Sequence, residues 1–347
     1  MSFQFNFKIE DTVSSPGECE VNLSKPTSTM EDKDVQPEDL NDSKQIQGSE
    51  NSDSGHHCSS CVTTDAMSSC KPAIEHPIPT DLSSVLENKI LESSSGLQFV
   101  NVSVVEMTLS NSDVRKEDIV NKSIKSHSDL ISGVYEGGMK IWECTFDLIR
   151  YFESEEVDFE NKSVLDLGCG AGLLGIFSLK HKAKVVHFQD YNSTVIEEIT
   201  IPNTLVNCDF DNVTENMDSE PTGKRTKTLD AEQGMLSKCR FFSGEWSSFT
   251  QLMKNQVPPI KYDIILTSET IYNTSYYNAL HEVLQNLLAD DGIIYLASKS
   301  HYFGVGGGVH LFENFIKEKK LFNIHSLKMN NDGLQRILLR LDFKRSP

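Results

Sequence analysis

The stretch "VLDLGCGAGLLG", from Val164 to Gly175, constrains the fold more than any other part of the chain. An apolar run of strand length leads into closely spaced glycines and then into an apolar, helix-like pattern. A strand, a glycine turn and a helix in this order place a ligand over the carboxyl end of the strand, since glycine allows close backbone approach. Gly168, Gly170 and Gly172 are predicted to line the turn. Gly170, Gly172 and Gly175 also match GxGxxG, so the glycines alone leave a nicotinamide dinucleotide open as the ligand.

Two acidic residues bear on the choice of ligand. Asp166 precedes the first glycine, where a carboxylate can hold the turn and attract the ammonium group of S-adenosylmethionine, whereas a dinucleotide turn faces a pyrophosphate. Asp190 ends the next apolar run, where it can accept both ribose hydroxyls of either cofactor. S-adenosylmethionine is therefore favoured. The alternative that Asp166 only caps the turn and Asp190 faces solvent stays open.

The remaining pattern indicates one α/β domain. From about residue 130, apolar runs of strand length alternate with longer amphipathic segments, which is typical of a parallel sheet covered by helices. "FNIHSLKM" and "QRILLRLDF" are separated by "NNDG", a hairpin signal. We expect a Rossmann-like sheet over residues 128–347, mostly parallel with an antiparallel C-terminal strand, and a polar insertion at 209–238. The basic residues of that insertion, Lys224, Arg225 and Lys227, favour a solvated loop over a nuclear-import signal.

The N-terminal quarter has a different composition. Residues 1–80 hold 14 Asp or Glu and 5 Lys, so they carry nearly half of the net charge of −19. This stretch is rich in Ser, Asp, Asn and Pro and shows no sustained period, so it cannot bury enough apolar surface to offset its ordering entropy. We predict a disordered acidic tail over residues 1–90, followed by a linker and N-terminal extension over residues 91–127.

Several classes of protein are disfavoured. No apolar run reaches about 18 residues and no signal-peptide pattern is present, so we expect an intracellular, soluble protein without a membrane partner. The eight cysteines follow no regular framework and are expected to be reduced thiols. "HHCSSC" offers His56, His57, Cys58 and Cys61 as zinc ligands. Because this cluster lies in polar sequence without a second CxxC, no metal site is predicted.

Five motifs carry a resemblance to a known family: "DLGCGAG", "FQDYN", "SGEW", "SETIYN" and, upstream, "GVYEGGMKIWECTFDLIRYF". From about Ser128 to its end the chain resembles the seven-strand, class I S-adenosylmethionine-dependent methyltransferases, specifically the protein-histidine methyltransferases of the methyltransferase-like 18 family. The glycine motif occurs throughout the superfamily. "GVYEGGMKIWECTFDL" and "YFGVGGGVHLFENF" are more specific to this branch.

The resemblance implies an activity, a substrate, an oligomeric state and a cellular location. The family uses S-adenosyl-L-methionine to methylate the tele nitrogen of a histidine in large-subunit ribosomal protein three. This implies a basic protein substrate, no sequence-specific nucleic-acid binding, a monomer, and a location in the cytoplasm and the nucleus, including the nucleolus.

The resemblance also assigns the cofactor contacts. The segment "KIWECTF" would fold over the methionine end, where the Trp142 indole face would attract the sulfonium by about 1 kcal/mol. That Trp142 is ordinary core remains an alternative. Trp246 would offer a flat wall to the adenine, and Ser268 would lie beneath the cofactor. The full predicted cofactor set is Ile141, Trp142, Glu143, Cys144, Thr145, Asp166, Gly168, Gly170, Gly172, Gln189, Asp190, Tyr191, Gly244, Glu245, Trp246 and Ser268.

The acceptor site is predicted after the fourth strand of the methyltransferase sheet. Methyltransferases of planar amide or adenine nitrogens often carry Asn or Asp and then Pro-Pro-Tyr there, and "SETIYN" argues against such targets. Glu269, Tyr272 and Asn273 are the predicted catalytic residues, beside a glycine-rich loop, "GVGGGVH", that is expected to close over a peptide. That Asn273 only caps the following helix stays open.

Two other functions remain as alternatives. The first is a methyltransferase that acts on a lysine of another protein, which would share every cofactor motif. The second is an inactive binding module for ribosome assembly. The intact Asp166, Gly168, Gly170 and Asp190 count against the second, because a site without cofactor has no need of them.

Overall fold

The computed structural model describes residues 70–111, 129–208, 234–329 and 333–345 of the chain. The strands of this part are β1 (Ile74–His76), β2 (Leu91–Ser94), β3 (Leu97–Val100), β4 (Ser163–Leu167), β5 (Val185–Asp190), β6 (Cys239–Ser243), β7 (Tyr262–Ser268), β8 (Leu288–Lys299), β9 (Phe322–Lys328) and β10 (Arg336–Phe343). The α-helices are α1 (Leu82–Leu86), α2 (Val102–Asn111), α3 (Glu143–Ser154), α4 (Leu173–Lys180), α5 (Ser193–Val195), α6 (Ile201–Cys208), α7 (Trp246–Lys254), α8 (Tyr277–Leu287) and α9 (Val309–Lys319). A π-helical turn, Ile196–Thr200, joins α5 to α6, and a 3₁₀ turn, Thr274–Tyr276, leads into α8.

The main sheet has the order β1-β6-β5-β4-β7-β8-β10-β9. Strands β6, β5, β4, β7 and β8 are parallel, and β10 is antiparallel to both of its neighbours. The predicted mostly parallel sheet with an antiparallel C-terminal strand is confirmed. The chain reverses its direction of strand addition at β4, which lies between β5 and β7. In open α/β sheets such a reversal opens a crevice at the carboxyl ends of the strands, and ligands bind there.

The sheet is covered on both faces because its central strands are apolar on both sides. One core cluster includes Leu148 and Phe152 of α3 and Leu174 of α4, and the other includes Phe249 of α7 and Leu284 of α8. Burial of each such side chain contributes about 1.5–3 kcal/mol. Helices on both faces leave the carboxyl ends of the strands as an accessible edge.

The prediction that the disordered tail extends to residue 90 is wrong for residues 70–90, which the structure describes. Strand β1 pairs antiparallel with β6, with Ile74 opposite Ser243 and His76 opposite Phe241, so the sheet gains an eighth strand. Helix α1 lies in the same stretch. A three-residue strand is too short to show an alternating pattern. It is held by backbone pairing and by side-chain contacts with β6, in which Arg240 donates two hydrogen bonds to Glu75. Residues 1–69 lie outside the described residues, so disorder there stays a prediction.

The predicted linker over residues 91–127 is also folded in its described part. The β2–β3 hairpin docks on α6, where Asn203 Oδ1 accepts a hydrogen bond from Val100 N at 2.8 Å and Asn207 Oδ1 accepts one from Gln98 N at 3.0 Å. The hairpin therefore belongs to the domain. Of the predicted insertion at 209–238, residues 209–233, with Lys224, Arg225 and Lys227, lie outside the described residues, and Leu236 is buried in the core.

Two structural features are absent from the described ranges. None of their helices combines the length and the apolarity that a bilayer span requires. No three His, Cys, Asp or Glu side chains within these ranges lie close enough together to hold a metal ion. The "HHCSSC" cluster lies outside them.

Candidate active site

A cavity of about 300 Å³ lies at the carboxyl ends of β4, β5 and β7, where the topology predicts a ligand site. Its walls come from the turn after β4, the ends of β5 and β6, the segment before α3, and the connection from β7 to α8. The arrangement is concave and mixes apolar with polar groups, which is typical of small-molecule sites.

The glycine turn forms the floor of the cavity. Gly168, Gly170 and Gly172 have φ of 63°, 49° and 74°, a backbone region in which side chains are strained. A Cβ on Gly168 would lie 2.6 Å from a methyl carbon of Thr270, and one on Gly170 would lie 2.8 Å from the Gly138 carbonyl oxygen. The turn therefore requires glycine, and it packs against the segment before α3. Gly172 supports the turn without lining the cavity.

Asp166 lines the cavity from beneath the turn. Its side chain is 1 % exposed, and its Oδ2 accepts a hydrogen bond from Gly175 N in α4 at 2.9 Å. Burial raises its pKa to about 8, although the Gly175 donor acts in the opposite direction. Asp166 thus holds the start of α4 and presents an acid to the cavity that a cationic ligand would keep ionised.

The raised pKa of Asp166 predicts a pH-dependent stability. The folded chain binds a proton here that the unfolded chain releases above about pH 4, so this group makes folding less favourable as pH rises from 4 to 8. Without cofactor, the free energy of unfolding of Asp166→Asn should therefore increase relative to that of the wild type as the pH rises from 5 to 8. The increase should be about 1.4 kcal/mol for each pH unit over which the folded wild type binds one proton more than the unfolded chain. Urea unfolding at both pH values measures this. A difference that is the same at pH 5 and pH 8 would contradict it.

Asp190 ends β5 and joins the glycine turn to the turn that follows. Its side chain is 4 % exposed, its Oδ2 accepts from Gly170 N at 3.0 Å and its Oδ1 accepts from Asn192 N at 3.0 Å. Burial raises its pKa to about 6. A carboxylate has about four acceptor positions, so Asp190 can still accept ribose hydroxyls. The alternative that it faces solvent is wrong.

An amide holds together the wall of the cavity at the ends of β5 and β6. Gln189 accepts a hydrogen bond from Trp246 Nε1 at 3.0 Å and donates from Nε2 to the Gly244 carbonyl at 2.9 Å. Gln189 does not line the cavity itself, so it positions the two residues that do. Gly244 has a φ of 120°, and a Cβ there would lie 2.4 Å from the Pro72 carbonyl oxygen, so the segment before β1 packs on this wall.

The residues that were predicted to contact the methionine end of the cofactor fall into two groups. Ile141, Trp142 and Thr145 line the cavity, and Trp142 donates from Nε1 to the Gly137 carbonyl at 3.1 Å. Glu143 and Cys144 do not line it. Since α3 begins at Glu143, successive side chains point in different directions, and Cys144 is fully buried in the core.

Glu143 belongs to a buried ionic group behind the cavity. The Lys299 side chain is 3 % exposed, and its Nζ lies 3.2 Å from Glu143 Oε2 and 3.6 Å from Glu269 Oε1. Glu269 Oε2 accepts a hydrogen bond from the Tyr302 hydroxyl. The sequence prediction missed Lys299 and Tyr302, because both lie on or after β8, far from the cofactor motifs.

Glu269 lines the cavity in a constrained conformation. It is 7 % exposed and has a φ of 59°, an uncommon value for a residue with a side chain. Burial raises its pKa, while the ammonium of Lys299 and the hydroxyl of Tyr302 favour the ionised form. Strained backbone of this kind concentrates at functional sites. The buried ionic group thus fixes a carboxyl group at the edge of the cavity.

The mouth of the cavity contains a second carboxyl group, which the sequence prediction missed. Glu136 Oε2 accepts from the Tyr272 hydroxyl, and Oε1 accepts from the Tyr276 hydroxyl at 3.0 Å and from Gly133 N at 2.6 Å. Glu136 lies within "GVYEGGMKIWECTFDL", so the family-specific motif was the available signal. We call Glu136, Tyr272 and Tyr276 the mouth cluster.

Asn273 is not part of the cavity wall. Its Oδ1 accepts hydrogen bonds from Ser275 N at 3.0 Å and Ser275 Oγ at 2.8 Å, so the side chain caps the 3₁₀ turn before α8. The prediction that Asn273 is a catalytic residue is therefore corrected, and the capping alternative applies. An Asn side chain at a helix start satisfies backbone donors that would otherwise lack partners.

A substitution at Asn273 tests this correction. We expect Asn273→Ala to lower the free energy of unfolding by about 1 kcal/mol, the usual effect of losing such a cap, and to leave kcat within about twofold. Denaturant unfolding and steady-state kinetics measure the two quantities. A tenfold fall in kcat at unchanged stability would return Asn273 to the catalytic residues.

The base of the glycine-rich loop after β8 is anchored. Gly307 N donates to the Tyr272 carbonyl at 2.8 Å, Gly308 N donates to the Tyr277 hydroxyl at 3.0 Å, and Tyr302 is buried. Phe303, in contrast, is 70 % exposed. Closure over a peptide therefore stays a prediction for the exposed part of the loop only.

Most predicted site residues meet at the cavity. Those that line it are Ile141, Trp142, Thr145, Asp166, Gly168, Gly170, Asp190, Tyr191, Gly244, Glu245, Trp246, Ser268, Glu269 and Tyr272. Those that do not are Glu143, Cys144, Gly172, Gln189 and Asn273. Lining residues that the prediction missed include Glu136, Gly137, Gly138, Lys140, Ser247, Thr270 and Tyr276.

These residues fit S-adenosylmethionine. The cofactor carries a sulfonium, an ammonium and two ribose hydroxyls, and the cavity presents two buried acids, Asp166 and Asp190, to such groups. Trp246 supplies a flat wall, and the left-handed glycine turn allows close backbone approach. A cationic ligand would keep Asp166 ionised and be attracted to it, whereas a pyrophosphate would gain nothing from an acid at this position, so the dinucleotide alternative is disfavoured.

Comparisons with known proteins agree with this reading. A family model described as lysine methyltransferase matches residues 121–305. The chain is 53 % identical over 275 residues to the histidine protein methyltransferase 1 homolog of Bos taurus, covering 79 % of this chain and 73 % of that protein. It is 44 % identical over 365 residues to the homolog of Rattus norvegicus, covering 99 % of each. A more distant relative, the EEF1A lysine methyltransferase 3 of Mus musculus, is 28 % identical over 160 residues, covering 46 % of this chain and 55 % of that protein.

The resemblance seen in the motifs is thus confirmed over nearly the whole chain, and the chain belongs to the histidine protein methyltransferase 1 family, whose members are S-adenosylmethionine-dependent enzymes.

Proposed function

We propose that this enzyme methylates the tele nitrogen of a histidine in a basic protein of the large ribosomal subunit. The observation that carries the proposal is the mouth cluster, in which a carboxyl group and two tyrosines border the cofactor cavity. Flat aromatic walls suit a planar ring, and a carboxylate suits the cation that the ring becomes. The names of the relatives support histidine as the acceptor residue.

Different residues of the chain would bind different parts of the cofactor. Asp166 and Asp190 would hold the ammonium and ribose ends of S-adenosylmethionine, and Trp246 would border its adenine. The bound cofactor supplies an electrophilic methyl group on a sulfonium. A bound cofactor and a bound acceptor ring would together displace water from the cavity, so each charge there would act in a medium of lower dielectric than bulk water.

Control of the imidazole tautomer is the main requirement on the protein. A neutral imidazole already has a nucleophilic lone pair, so attack needs alignment rather than a strong base. For attack through the tele nitrogen, the proton must stay on the pros nitrogen, where an acceptor holds the tautomer and the ring plane. Glu269 adds a negative charge near the ring that stabilises the imidazolium product.

The lysine alternative differs in what the site must do. A lysine ammonium must lose its proton before it can attack, whereas neutral imidazole needs no deprotonation near neutral pH. A histidine acceptor therefore predicts a rate that rises through the acceptor's pKa near 6.5 and then stays constant. A rate that continues to rise toward pH 10 would favour lysine.

The charge of the chain predicts a preference for free substrate. The net charge of −19 attracts a basic protein before ribosomal RNA neutralises it. We expect free or nascent ribosomal protein to be methylated faster than assembled ribosomes, and kcat/KM to fall by about tenfold or more between low and high salt. Methyl transfer to both substrates at several salt concentrations measures this. Turnover that is insensitive to salt, or fastest on intact ribosomes, would contradict it.

The proposed location follows from the substrate. Ribosomal proteins are made in the cytoplasm and join ribosomal RNA in the nucleus, so we propose that the enzyme acts in both compartments.

A further inference from the structure

We infer that Glu136 is the residue that selects the reacting nitrogen: its carboxylate accepts the pros N–H of the acceptor histidine, and Tyr272 and Tyr276 hold that carboxylate in place. This inference rests on the proposed function and deepens it. It separates the roles of the two carboxyl groups at the cavity, since Glu269 supplies charge and Glu136 supplies the directed hydrogen bond.

Glu136 is fixed from three directions. The Tyr272 hydroxyl donates from the connection after β7, the Tyr276 hydroxyl donates from the 3₁₀ turn at 3.0 Å, and Gly133 N donates from the segment before α3 at 2.6 Å. The Glu136 backbone N–H also donates to Asn192 Oδ1 at 3.3 Å. A side chain restrained at both its backbone and its carboxyl group is prearranged for a directed contact.

The carboxyl group has capacity for one more donor. A carboxylate offers about four acceptor positions. Within the described ranges, Oε1 accepts two hydrogen bonds and Oε2 accepts one, which leaves a position on Oε2. Glu136 lines the cavity, so its carboxyl group lies within reach of a group bound at the mouth.

The two tyrosines remain donors under all working conditions. Burial and the neighbouring Glu136 raise the pKa of Tyr276 to about 12, and the same two causes raise the pKa of Tyr272 well above its usual value. Their rings meet edge to face at 6.0 Å and 88°. Such an angled pair presents an apolar corner to a planar ring, and a π-face near the ring favours the cation that forms.

Because of the geometry of imidazole, this hydrogen bond determines which ring nitrogen is methylated. The pros N–H and the tele lone pair lie on opposite sides of the ring, so a ring that donates to Glu136 at the mouth directs its lone pair inward. The tele nitrogen forms the new N–CH₃ bond as the S–CH₃ bond breaks, and the sulfur keeps the electron pair. The ring takes the positive charge beside Glu136, and its pros proton leaves to solvent after release.

The test uses the full chain, S-adenosylmethionine and free large-subunit ribosomal proteins. We expect Glu136→Gln, which keeps the shape and loses the charge and one acceptor, to lower kcat by about tenfold or more. Acid hydrolysis and chromatography of the product should show pros-methylhistidine rising from a trace to about a tenth or more of the methylhistidine. Cofactor Kd by calorimetry should stay within about twofold. A purely structural role would lower the rate without changing the ratio of the two isomers.

Two further variants make the result decisive. Glu282→Gln, an exposed carboxyl group on α8, should match the wild type. The double variant Tyr272→Phe with Tyr276→Phe keeps Glu136 but removes its two side-chain donors, and it should shift the isomer ratio in the same direction. It decides the matter if Glu136→Gln does not fold.

Two results would contradict the inference, and the experiment distinguishes between them. If Glu136→Gln binds cofactor and retains both the rate and the pure tele product, Glu136 does not select the nitrogen. If the wild type itself methylates no histidine, the proposed function fails, and the role of Glu136 fails with it.

Discussion

Glu269→Gln is expected to lower kcat by more than tenfold while cofactor affinity stays nearly unchanged. The Glu269 carboxyl group is 7 % exposed, contacts Lys299 at 3.6 Å and lies at the cavity wall. In the proposed mechanism its negative charge stabilises the imidazolium that forms during transfer. In a site with little water such a contribution can reach several kcal/mol, and each 1.36 kcal/mol corresponds to tenfold in rate.

Two companion variants separate catalysis from folding. Glu269→Asp keeps the charge and tolerates a left-handed backbone, so it should recover part of kcat. Glu318→Gln, an exposed residue of α9, should change nothing. Steady-state kinetics and cofactor calorimetry supply the measurements. Normal turnover by Glu269→Gln would move the acceptor site toward the loop from Tyr302 to His310.

Asp190→Ala should weaken S-adenosylmethionine binding by about 30-fold or more. Two hydrogen bonds from ribose hydroxyls to a charged acceptor would be lost, each worth roughly 1.5–3 kcal/mol before compensation by water. The backbone donors of Gly170 and Asn192, both 3.0 Å from the carboxylate, would also lose their acceptor. The glycine turn should then be less ordered, which lowers affinity further.

The affinity change has a simple control. Asp291→Ala removes a carboxyl group whose side chain is 91 % exposed and does not line the cavity, and it should leave Kd unchanged. Calorimetric titration of both variants at pH 7.5 compares them, since Asp190, with a pKa of about 6, is mostly ionised there. An unchanged Kd for Asp190→Ala would remove it from the cofactor contacts.

The cofactor half of the site could be predicted because its signals are local. The order of strand, glycine turn and helix at Leu167 to Leu173 fixes the position of the turn within a few residues. Asp190 ends a strand of apolar residues, so its place at the same edge follows from parallel pairing alone. Patterns of this kind involve residues that are close together in the sequence, so they can be recognised without the structure.

The acceptor half depends on contacts between distant residues. Tyr272 donates to Glu136 across 136 positions, and Tyr276 does so across 140, and no spacing rule predicts such pairs. Asn273 could serve as a cap or as a ligand, and only the position of Ser275 decides between them. The chain before residue 90 illustrates the same limit, because backbone pairing with β6 orders Ile74–His76 without any side-chain pattern.

The identity of the atom that receives the methyl group can be measured directly. The most direct measurement incubates the purified chain with deuterium-labelled S-adenosylmethionine and free large-subunit ribosomal proteins, and then maps the label by mass spectrometry and by chromatography of the hydrolysed amino acids. We expect label on a histidine of one basic ribosomal protein, at the tele nitrogen. Label on a lysine, or on the pros nitrogen of histidine, would contradict it.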